Sequence, residues 1–225
     1  MNDLTVIFIT ANKLPGHFTA YHRKILQEAV AGHKLITVSR KPIDFGKNLI
    51  DTGEKSHLNM YLQMLKAAKT ATTPYIAAAE DDTLYPQEHF NFYRPPLDTF
   101  AYNMHRWSLY TWKPNLFSMK RRKSNCTLIA PRKLFIEAWE ERIQKHPVEK
   151  YPMHYVGEVG RNNLERWLGV TERRCVEVWS ETGVIHINHP TGTDITLGKR
   201  KKLGEVKAVE IPYWGRASDI CREFK

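Results

Sequence analysis

A short apolar run ends in three consecutive acids at Tyr75-Ile76-Ala77-Ala78-Ala79-Glu80-Asp81-Asp82-Thr83-Leu84-Tyr85-Pro86. We interpret the run as a buried strand that carries three carboxylates at its C-terminal end. In open α/β sheets, ligands bind beyond the carboxyl ends of the strands, and clustered carboxylates are oxygen ligands for a divalent cation. The alternatives are an acidic turn without a ligand and a helix start that favours negative charge.

Upstream of the acids, the sequence predicts a strand, a helix and a second strand. Residues 4–10 are nearly all apolar and β-branched, as in a buried central strand, and residues 34–39 predict the next strand. Apolar residues at helical spacing between Phe18 and Val30 predict the helix that joins them. Such a unit is almost always parallel and right-handed. An amphipathic helix over 58–68 then leads to the acid-ended strand.

Downstream, residues 85–118 are rich in aromatic residues and proline, and we interpret them as a partly irregular wall around a binding cleft. The remaining predicted elements are a strand at 127–130, a helix at 134–143, a short helix at 164–167 and strands at 175–179 and 184–187. The predicted fold class is α/β, a mixed, mainly parallel sheet flanked by helices.

The totals are those of one globular domain. The chain has 225 residues, 42% of them hydrophobic, and no apolar stretch approaches the roughly 18 residues of a membrane span. The start lacks a secretory signal, so we expect a cytoplasmic protein without stable membrane insertion or an obligate protein partner. The cysteines Cys126, Cys175 and Cys221 are odd in number and far apart, which argues against a disulfide framework or a cysteine zinc site.

Positive charge is concentrated in runs. The net charge is +10, and the densest runs are Lys120-Arg121-Arg122-Lys123 and Lys199-Arg200-Lys201-Lys202. Such runs attract polyanions such as nucleic acid, anionic lipid or phosphorylated substrates, although solvated surface is the alternative for any single run. Neither a G-x-G-x-x-G nor a Walker phosphate loop is present, so phosphates would be held another way, for example by a metal on the three acids.

The order of elements resembles that of the GT-A glycosyltransferases, particularly the family 2-like nucleotide-sugar enzymes. The resemblance lies in Thr10-Ala11-Asn12 after the first strand, Ser39-Arg40 after the second, and Glu80-Asp81-Asp82 as a D-x-D-like motif. It implies a single GT-A-like domain over 1–225, with a nucleotide-sugar-binding half (1–86), an acceptor-side half (87–196) and a basic tail (197–225).

Two downstream segments add to this resemblance, which covers most of residues 4–190. Gly157-Glu158, followed by Arg161 and Trp167, is similar to the family's acidic acceptor-side motif, and His186-Ile187-Asn188-His189 is similar to its metal-ligand histidine region. The chain departs from the family pattern in having Glu80 in place of the first Asp and in lacking a second acid after Glu158.

The resemblance implies a donor site for a nucleoside diphosphate sugar, with UDP as the expected nucleotide, and a Mn²⁺ or Mg²⁺ cofactor. Asp82 and His186 are the expected metal ligands, although His186 could instead be a hydrogen-bonded core residue. Because residues three apart on a strand point to opposite faces, His189 reaches the same ion only if the strand ends between them. The expected donor-binding residues are Thr10, Asn12, Ser39, Arg40, Glu80, Asp81 and Lys199.

Inverting transfer needs a base that removes the proton of the acceptor hydroxyl. Glu158 is our candidate, because the flanking Gly157 and Gly160 let a ligand approach the backbone closely. The alternative is an ordinary acidic residue at the start of the helix that follows. If the reaction instead retains configuration, Glu158 could bind the sugar or the acceptor.

The expected acceptor is DNA, because cations beside flat rings are what a nucleic-acid groove uses. Trp107, Arg121, Arg122 and Arg161 are the predicted acceptor-binding residues. A sugar acceptor in DNA requires a hydroxyl on a base, such as a hydroxymethylated pyrimidine, and the chain is similar in size and charge to bacteriophage glycosyltransferases that act on modified bases. The rival hypotheses are the same reaction on a saccharide or lipid-linked acceptor, and a non-catalytic nucleic-acid-binding protein.

Overall fold

The computed structural model describes residues 3–112, 115–119, 121–190 and 203–224. The strands are β1 Leu4–Thr10, β2 Lys34–Ser39, β3 Lys47–Ile50, β4 Tyr75–Glu80, β5 Thr83–Leu84, β6 Thr99–Asn103, β7 Arg106–Tyr110, β8 Phe117–Met119, β9 Leu128–Pro131, β10 Arg174–Val178, β11 Val184–Asn188, β12 Lys207–Ala208, β13 Glu210–Ile211 and β14 Gly215–Arg216. The α-helices are α1 Gly16–Ala29, α2 His57–Thr70, α3 Arg132–Lys145, α4 Asn162–Leu168 and α5 Ala217–Phe224.

The main sheet has the strand order β10-β6-β9-β4-β1-β2-β3. Strands β4, β1, β2 and β3 run parallel to one another, β10 runs parallel to β6, and β9 is antiparallel to both of its neighbours. A smaller sheet has the order β12-β8-β7-β11-β5. The predicted fold class, a mixed and mainly parallel sheet flanked by helices, is confirmed.

Strands β1 and β4 are central because both of their faces are apolar. Alternate residues of β1 pack on opposite sides: Ile7 and Ile9 face the core under α2 and α3, whereas Val6 and Phe8 face the core under α1. Burial on both faces explains why a continuous apolar run, rather than an alternating pattern, marks these strands.

The helices that cover the sheet follow from their apolar faces. Helix α2 begins after Ser56, whose side chain accepts a hydrogen bond from the Asn59 N–H group at 3.0 Å and caps the helix. Its aromatic Tyr61 stacks on Trp139 of α3, with ring centroids 4.3 Å apart. Helices α2 and α3 therefore cover one face of the main sheet together.

The aromatic segment 85–118 is irregular in part, since residues 91–98 form neither helix nor strand, but it also supplies β6 and β7, where Phe100, Tyr102 and Tyr110 are buried. In the tail, α5 buries Ile220 and Cys221 against the core between α1 and the smaller sheet. Both segments add an apolar layer that the first half of the chain lacks.

No helix in the described ranges is both long and apolar enough to cross a membrane.

Buried His89 makes the stability of the fold depend on pH. Its side chain is fully buried among aromatic rings, and this burial lowers its pKa from 6.5 to about 3. Between these two values the unfolded chain binds a proton that the folded protein excludes, so stability rises with pH. We expect the free energy of unfolding to fall as pH is lowered from about 6.5 towards 3, and His89→Leu to flatten this dependence.

Urea titrations at several pH values test this expectation. His154→Leu, which changes an exposed histidine, is the control and should keep the parental slope. An unchanged slope in His89→Leu would contradict the expectation, whatever the absolute stability of the variant.

Candidate active site at the carboxyl edge of the main sheet

The three acids lie between β4 and β5, at the edge where β1, β2 and β4 end. Buried His22 of α1 fixes this turn, because its Nε2 atom lies 3.1 Å from the carbonyl oxygen of Glu80 and 2.9 Å from that of Thr83. Both partners are acceptors, so Nε2 carries the proton. Burial lowers the pKa of His22 to about 4. The imidazole is therefore neutral when it holds the turn.

Two further contacts fix the backbone of the turn. The hydroxyl of Tyr85 accepts a hydrogen bond from the Glu80 N–H group at 3.0 Å and donates to the carbonyl of Cys126 at 2.9 Å. The Ile187 N–H group donates to the carbonyl of Asp82 at 2.7 Å, which joins β11 to the turn. The carboxylates therefore project from a backbone that three other segments hold in place.

The three carboxylates point towards different partners. Asp81 accepts a short hydrogen bond from the Thr10 hydroxyl at 2.6 Å, and Glu80 accepts one from the side-chain amide of Asn125 at 3.1 Å. Asp82 lies between two imidazoles: one of its oxygens is 3.5 Å from Nδ1 of His186 and the other is 3.4 Å from Nε2 of His189. Strand β11 ends at Asn188, so His189 lies beyond it and is not forced to the opposite face.

The pKa values of the two neighbouring aspartates are shifted in opposite directions. Burial, together with the neighbouring Asp82, raises the pKa of Asp81 to about 6. Burial also opposes ionisation of Asp82, but His186 and His189 hold the pKa of Asp82 well below its usual range. A bound cation would supply the positive charge that this cluster lacks.

The donor atoms present fit a divalent metal ion. Asp82, His186 and His189 offer carboxylate oxygen and imidazole nitrogen, and Glu80 adds an oxygen that lies within 4.8 Å of donor atoms of His186 and Cys126. Burial raises the pKa of the Cys126 thiol to about 12, so it stays protonated and is a poor ligand. A mixed oxygen and nitrogen set suits Mn²⁺ better than Mg²⁺, which prefers oxygen alone.

A small basic pocket lies on the β1 and β2 side of the acids. It has a volume of about 90 Å³, and its wall includes Arg40 and Lys55 together with all three acids. Burial lowers the pKa of Lys55, and Asp81 and Asp82 oppose this effect. The pocket therefore places two cationic side chains beside the carboxylate turn.

Thr10, Asn12 and Ser39 lie at or just after the ends of β1 and β2 and are not part of the pocket wall. Asn12 has a positive φ of 54°, and its side-chain oxygen accepts hydrogen bonds from the backbone N–H groups of Arg40 and Lys41 at 2.9 and 3.1 Å. The Ser39 hydroxyl donates to the carbonyl of Lys41 at 2.7 Å. These predicted donor-binding residues join the ends of β1 and β2. Arg40, another residue of the predicted set, lines the pocket together with the acids.

A larger cavity of about 530 Å³ opens on the other side of the acids. Glu80 and Asp82 line it as well, so the acid turn borders both spaces. Glu158 lies in its wall, with 17% of its side chain exposed and its carboxylate 3.1 Å from the guanidinium of Arg161. The remaining charged and aromatic residues of this wall include Arg122, Lys123, Glu177, Trp112 and Tyr61.

An open groove of about 800 Å³ continues from this cavity, because Lys123 and Arg161 line both. Trp167 lies in the groove with 71% of its surface exposed and stacks on Tyr155, with the two rings 9° from parallel. The groove therefore offers a flat aromatic surface, and Glu158 lies in the wall of the adjoining cavity.

The structure separates the four predicted acceptor-binding residues. Trp107 is wrong for this role: it is 8% exposed and packs in the core beside Phe117, on the face of β7 opposite to Ser108. Successive side chains of β7 point to opposite faces, and both faces are covered by other elements, so Trp107 is buried. Arg122 and Arg161 line the cavity, whereas Arg121 lies over the ring of Trp179 at 6.0 Å.

The donor-binding candidate Lys199 lies outside the described residues.

Several residues of the site escape a reading of the sequence. His22, Lys55 and Asn125 come from segments with no motif, and each reaches the acids only through the fold. A histidine on the apolar face of an amphipathic helix is the one signal that could have drawn attention to His22.

No protein-family model and no curated protein sequence matches the chain. Among solved structures, the bifunctional IspDF of Campylobacter jejuni is 12% identical with a TM-score of 0.44, over 80% of this chain and 50% of that one, so the chain spans half its length.

Two glycosyltransferases are also similar in structure. One is involved in the glycosylation of the major capsid of PBCV-1, with 10% identity and a TM-score of 0.45 over 81% of this chain and 91% of that one. The other is Drosophila β-1,4-galactosyltransferase 7 in complex with manganese, UDP-Gal and xylobiose, with 11% identity and a TM-score of 0.44 over 92% and 82%. At this level of likeness, no activity transfers from these proteins to the chain.

Replacing Asp82 should remove the metal site without unfolding the protein. We expect Asp82→Asn to weaken Mn²⁺ binding by about 100-fold or more, since loss of an outer-sphere partner alone costs about 10- to 100-fold. Electron paramagnetic resonance of free Mn²⁺ measures this affinity directly. Asp44→Asn, at an exposed acid, is the control. Unchanged Mn²⁺ affinity in Asp82→Asn would rule out this metal site.

Proposed function

We propose that the protein is a metal-dependent glycosyltransferase that moves a sugar from a nucleoside diphosphate sugar to an acceptor hydroxyl. The observation that carries the proposal is the position of the acid turn, because Glu80 and Asp82 line both the basic pocket and the cavity of Glu158. A donor bound with its diphosphate at the turn presents its sugar to the cavity, where the acceptor enters from the opposite side.

The donor half of the reaction uses cations and carboxylates together. Arg40 and Lys55 pair with the negative charge of the diphosphate, and Lys199, on the segment after β11, is expected to add to this pairing. Asp82, His186 and His189 would hold a Mn²⁺ or Mg²⁺ ion, with Glu80 and Asp81 beside them. When bound, the ion supplies Lewis-acid stabilisation of the charge that develops on the leaving diphosphate.

The acceptor half of the reaction uses Glu158. Its carboxylate takes the proton of the acceptor hydroxyl while the acceptor oxygen forms a bond to the anomeric carbon. The bond between that carbon and the phosphate oxygen breaks, and the electron pair leaves with the nucleoside diphosphate. Arg161 lies 3.1 Å from this carboxylate and orients it towards the cavity.

For the acceptor we propose DNA that carries a hydroxymethylated pyrimidine. The net charge of +10 and the cations Arg122 and Lys123 in the cavity wall, with Arg121 adjacent in sequence, support a polyanionic ligand. Exposed Trp167 supplies a surface on which a base can stack. A flipped base would bring its hydroxyl to Glu158.

One observation favours a saccharide acceptor as the second candidate. Cations that line the groove are paired with acids: Arg173 with Glu141 at 2.7 Å and Arg174 with Asp98 at 2.8 Å. Paired cations attract a phosphate backbone less than free ones do, and an exposed ring such as Trp167 can stack on a sugar as well as on a base.

Removal of the proposed base should affect turnover more than donor binding. We expect Glu158→Gln to lower kcat by about 100-fold or more while the KM for the donor changes little, because the proton moves only in the transition state. Glu177→Gln is the control, since Glu177 lies in the same cavity wall. A Glu158→Gln enzyme with parental kcat would exclude Glu158 as the base.

A transfer assay tests the function and its acceptor together. Radiolabelled nucleotide sugars are offered with hydroxymethylated DNA, ordinary DNA or oligosaccharides, and we expect metal-dependent label only on hydroxymethylated DNA. Label on oligosaccharides alone would select the second candidate. Absence of transfer and of donor hydrolysis, with DNA still bound, would instead identify a non-catalytic binding protein.

The salt dependence of DNA binding tests the acceptor independently of catalysis. Each phosphate contact contributes a slope of about −0.9 to the logarithm of affinity against the logarithm of salt concentration. We expect Arg121→Gln/Arg122→Gln to flatten this slope by the contribution of about one to two phosphate contacts. The control, Arg216→Gln/Arg222→Gln on the C-terminal segment, should leave the slope unchanged. Salt-independent binding would contradict a DNA acceptor.

A further inference from the structure

The loop that carries Glu158 is held by side chains from distant segments. Three contacts reach its backbone from buried residues: Arg142 Nη1 donates to the Gly157 carbonyl, the Tyr102 hydroxyl donates to the Val159 carbonyl, and Glu165 accepts from the Gly160 N–H group, all at 2.8 Å. A fourth comes from the Lys123 ammonium, which donates to the Gly160 carbonyl at 3.1 Å.

Two of these residues form a buried ion pair. Arg142 of α3 and Glu165 of α4 lie 3.6 Å apart, and each side chain is 1% exposed. The Arg142 guanidinium also lies over the ring of Trp139 at 4.8 Å, and the second oxygen of Glu165 accepts from the Arg173 N–H group at 3.0 Å. Both groups are thus fixed by their own surroundings.

Stability is a poor explanation for such a pair. Removing two charges from water costs as much as their attraction returns, and well-packed apolar residues at such positions often serve stability equally well. What apolar residues cannot do is donate to the Gly157 carbonyl and accept from the Gly160 amide at the same time. The pair therefore serves to position the loop rather than to stabilise the fold.

The backbone conformation of the loop at Gly160 requires a glycine. This residue has a positive φ of 80°, and a Cβ atom built there would lie 2.5 Å from Cβ of Cys175. The glycine brings the loop against β10, where Glu165 can reach its amide. Glu158 is the residue of this loop whose carboxylate lies in the cavity wall.

We infer that the Arg142–Glu165 ion pair, with Tyr102, positions Glu158 for proton removal from the acceptor. This inference rests on the proposed function, in which Glu158 is the base. Arg142, Glu165 and Tyr102 are positioning residues, because they act through the loop and not on the substrate. Misplacement of a reacting group by about 1 Å can cost about 100-fold in rate.

The test compares a neutral, similarly long replacement of the pair with a matched control. Arg142→Met/Glu165→Met removes the buried pair, and Arg166→Met/Glu172→Met removes an exposed Arg–Glu pair that begins on the same helix. Tyr102→Phe removes one hydrogen bond to the loop and keeps the ring, so it carries the test if the first variant fails to fold. Each change is made in the parent and in Glu158→Gln.

Two readouts are measured for each variant: UDP release from UDP-glucose with hydroxymethylcytosine DNA, and hydrogen exchange of residues 157–161. We expect the buried-pair variant and Tyr102→Phe to speed exchange of this loop and to lower kcat by about 10- to 100-fold, with the KM for UDP-glucose unchanged. In the Glu158→Gln background the same changes should lower kcat by less than about twofold, because residues that act as one unit are not additive.

The remaining outcomes overturn the inference in distinguishable ways. Losses in kcat that multiply with that of Glu158→Gln would show a general structural role. Unchanged loop exchange would reject positioning, whatever the reaction. Full kcat in Glu158→Gln alone would reject the base itself, and with it the proposed mechanism.

Discussion

The repulsion among three adjacent carboxylates at the end of a buried strand is the constraint on which the site depends. Like charges in a low-dielectric setting persist only when hydrogen bonds and opposite charges compensate them. Here Thr10 donates to Asp81, Asn125 donates to Glu80, and two histidines flank Asp82. The compensating groups come from the end of β1, the turn before β9 and the end of β11, so the acid turn depends on contacts with three segments outside β4.

The first half of the fold could be predicted from the sequence because its signals are local. Strand β2 occupies Lys34–Ser39 as predicted, and β1 and β4 are continuous apolar runs, since parallel strands are covered on both faces. The second half could not be predicted as well. In the aromatic segment, both faces of β7 are covered, so residue type alone did not show that Trp107 faces the core and Tyr110 the other side.

The residues of the site also differ in how well the sequence predicts them. The acids stand at the end of a predicted strand, where ligands bind in open α/β sheets, so a site there could be expected from the sequence. The histidines lie on and just after β11 of the smaller sheet, so their approach to the acids depends on how the two sheets meet. That both His186 and His189 approach Asp82 depended on where β11 ends, which the sequence left open. Arg142 and Glu165 are single charged residues on amphipathic helices, where the ordinary expectation is a solvated face. Their burial results from the packing of α3 against α4 and could not be read from spacing.

The two sides of the acid turn are therefore built by different physical means. The basic pocket lies between strand ends that backbone hydrogen bonds hold in register and the first turns of α2, so its shape follows from the packing of regular elements. The loop of Glu158 has no ladder of its own and depends on side chains that bind its carbonyls and its amide. A loop fixed in this way can be moved by single substitutions that leave the sheet intact. The fold thus permits the loop of Glu158 to change while the strand ends of β1, β2 and β4 stay the same.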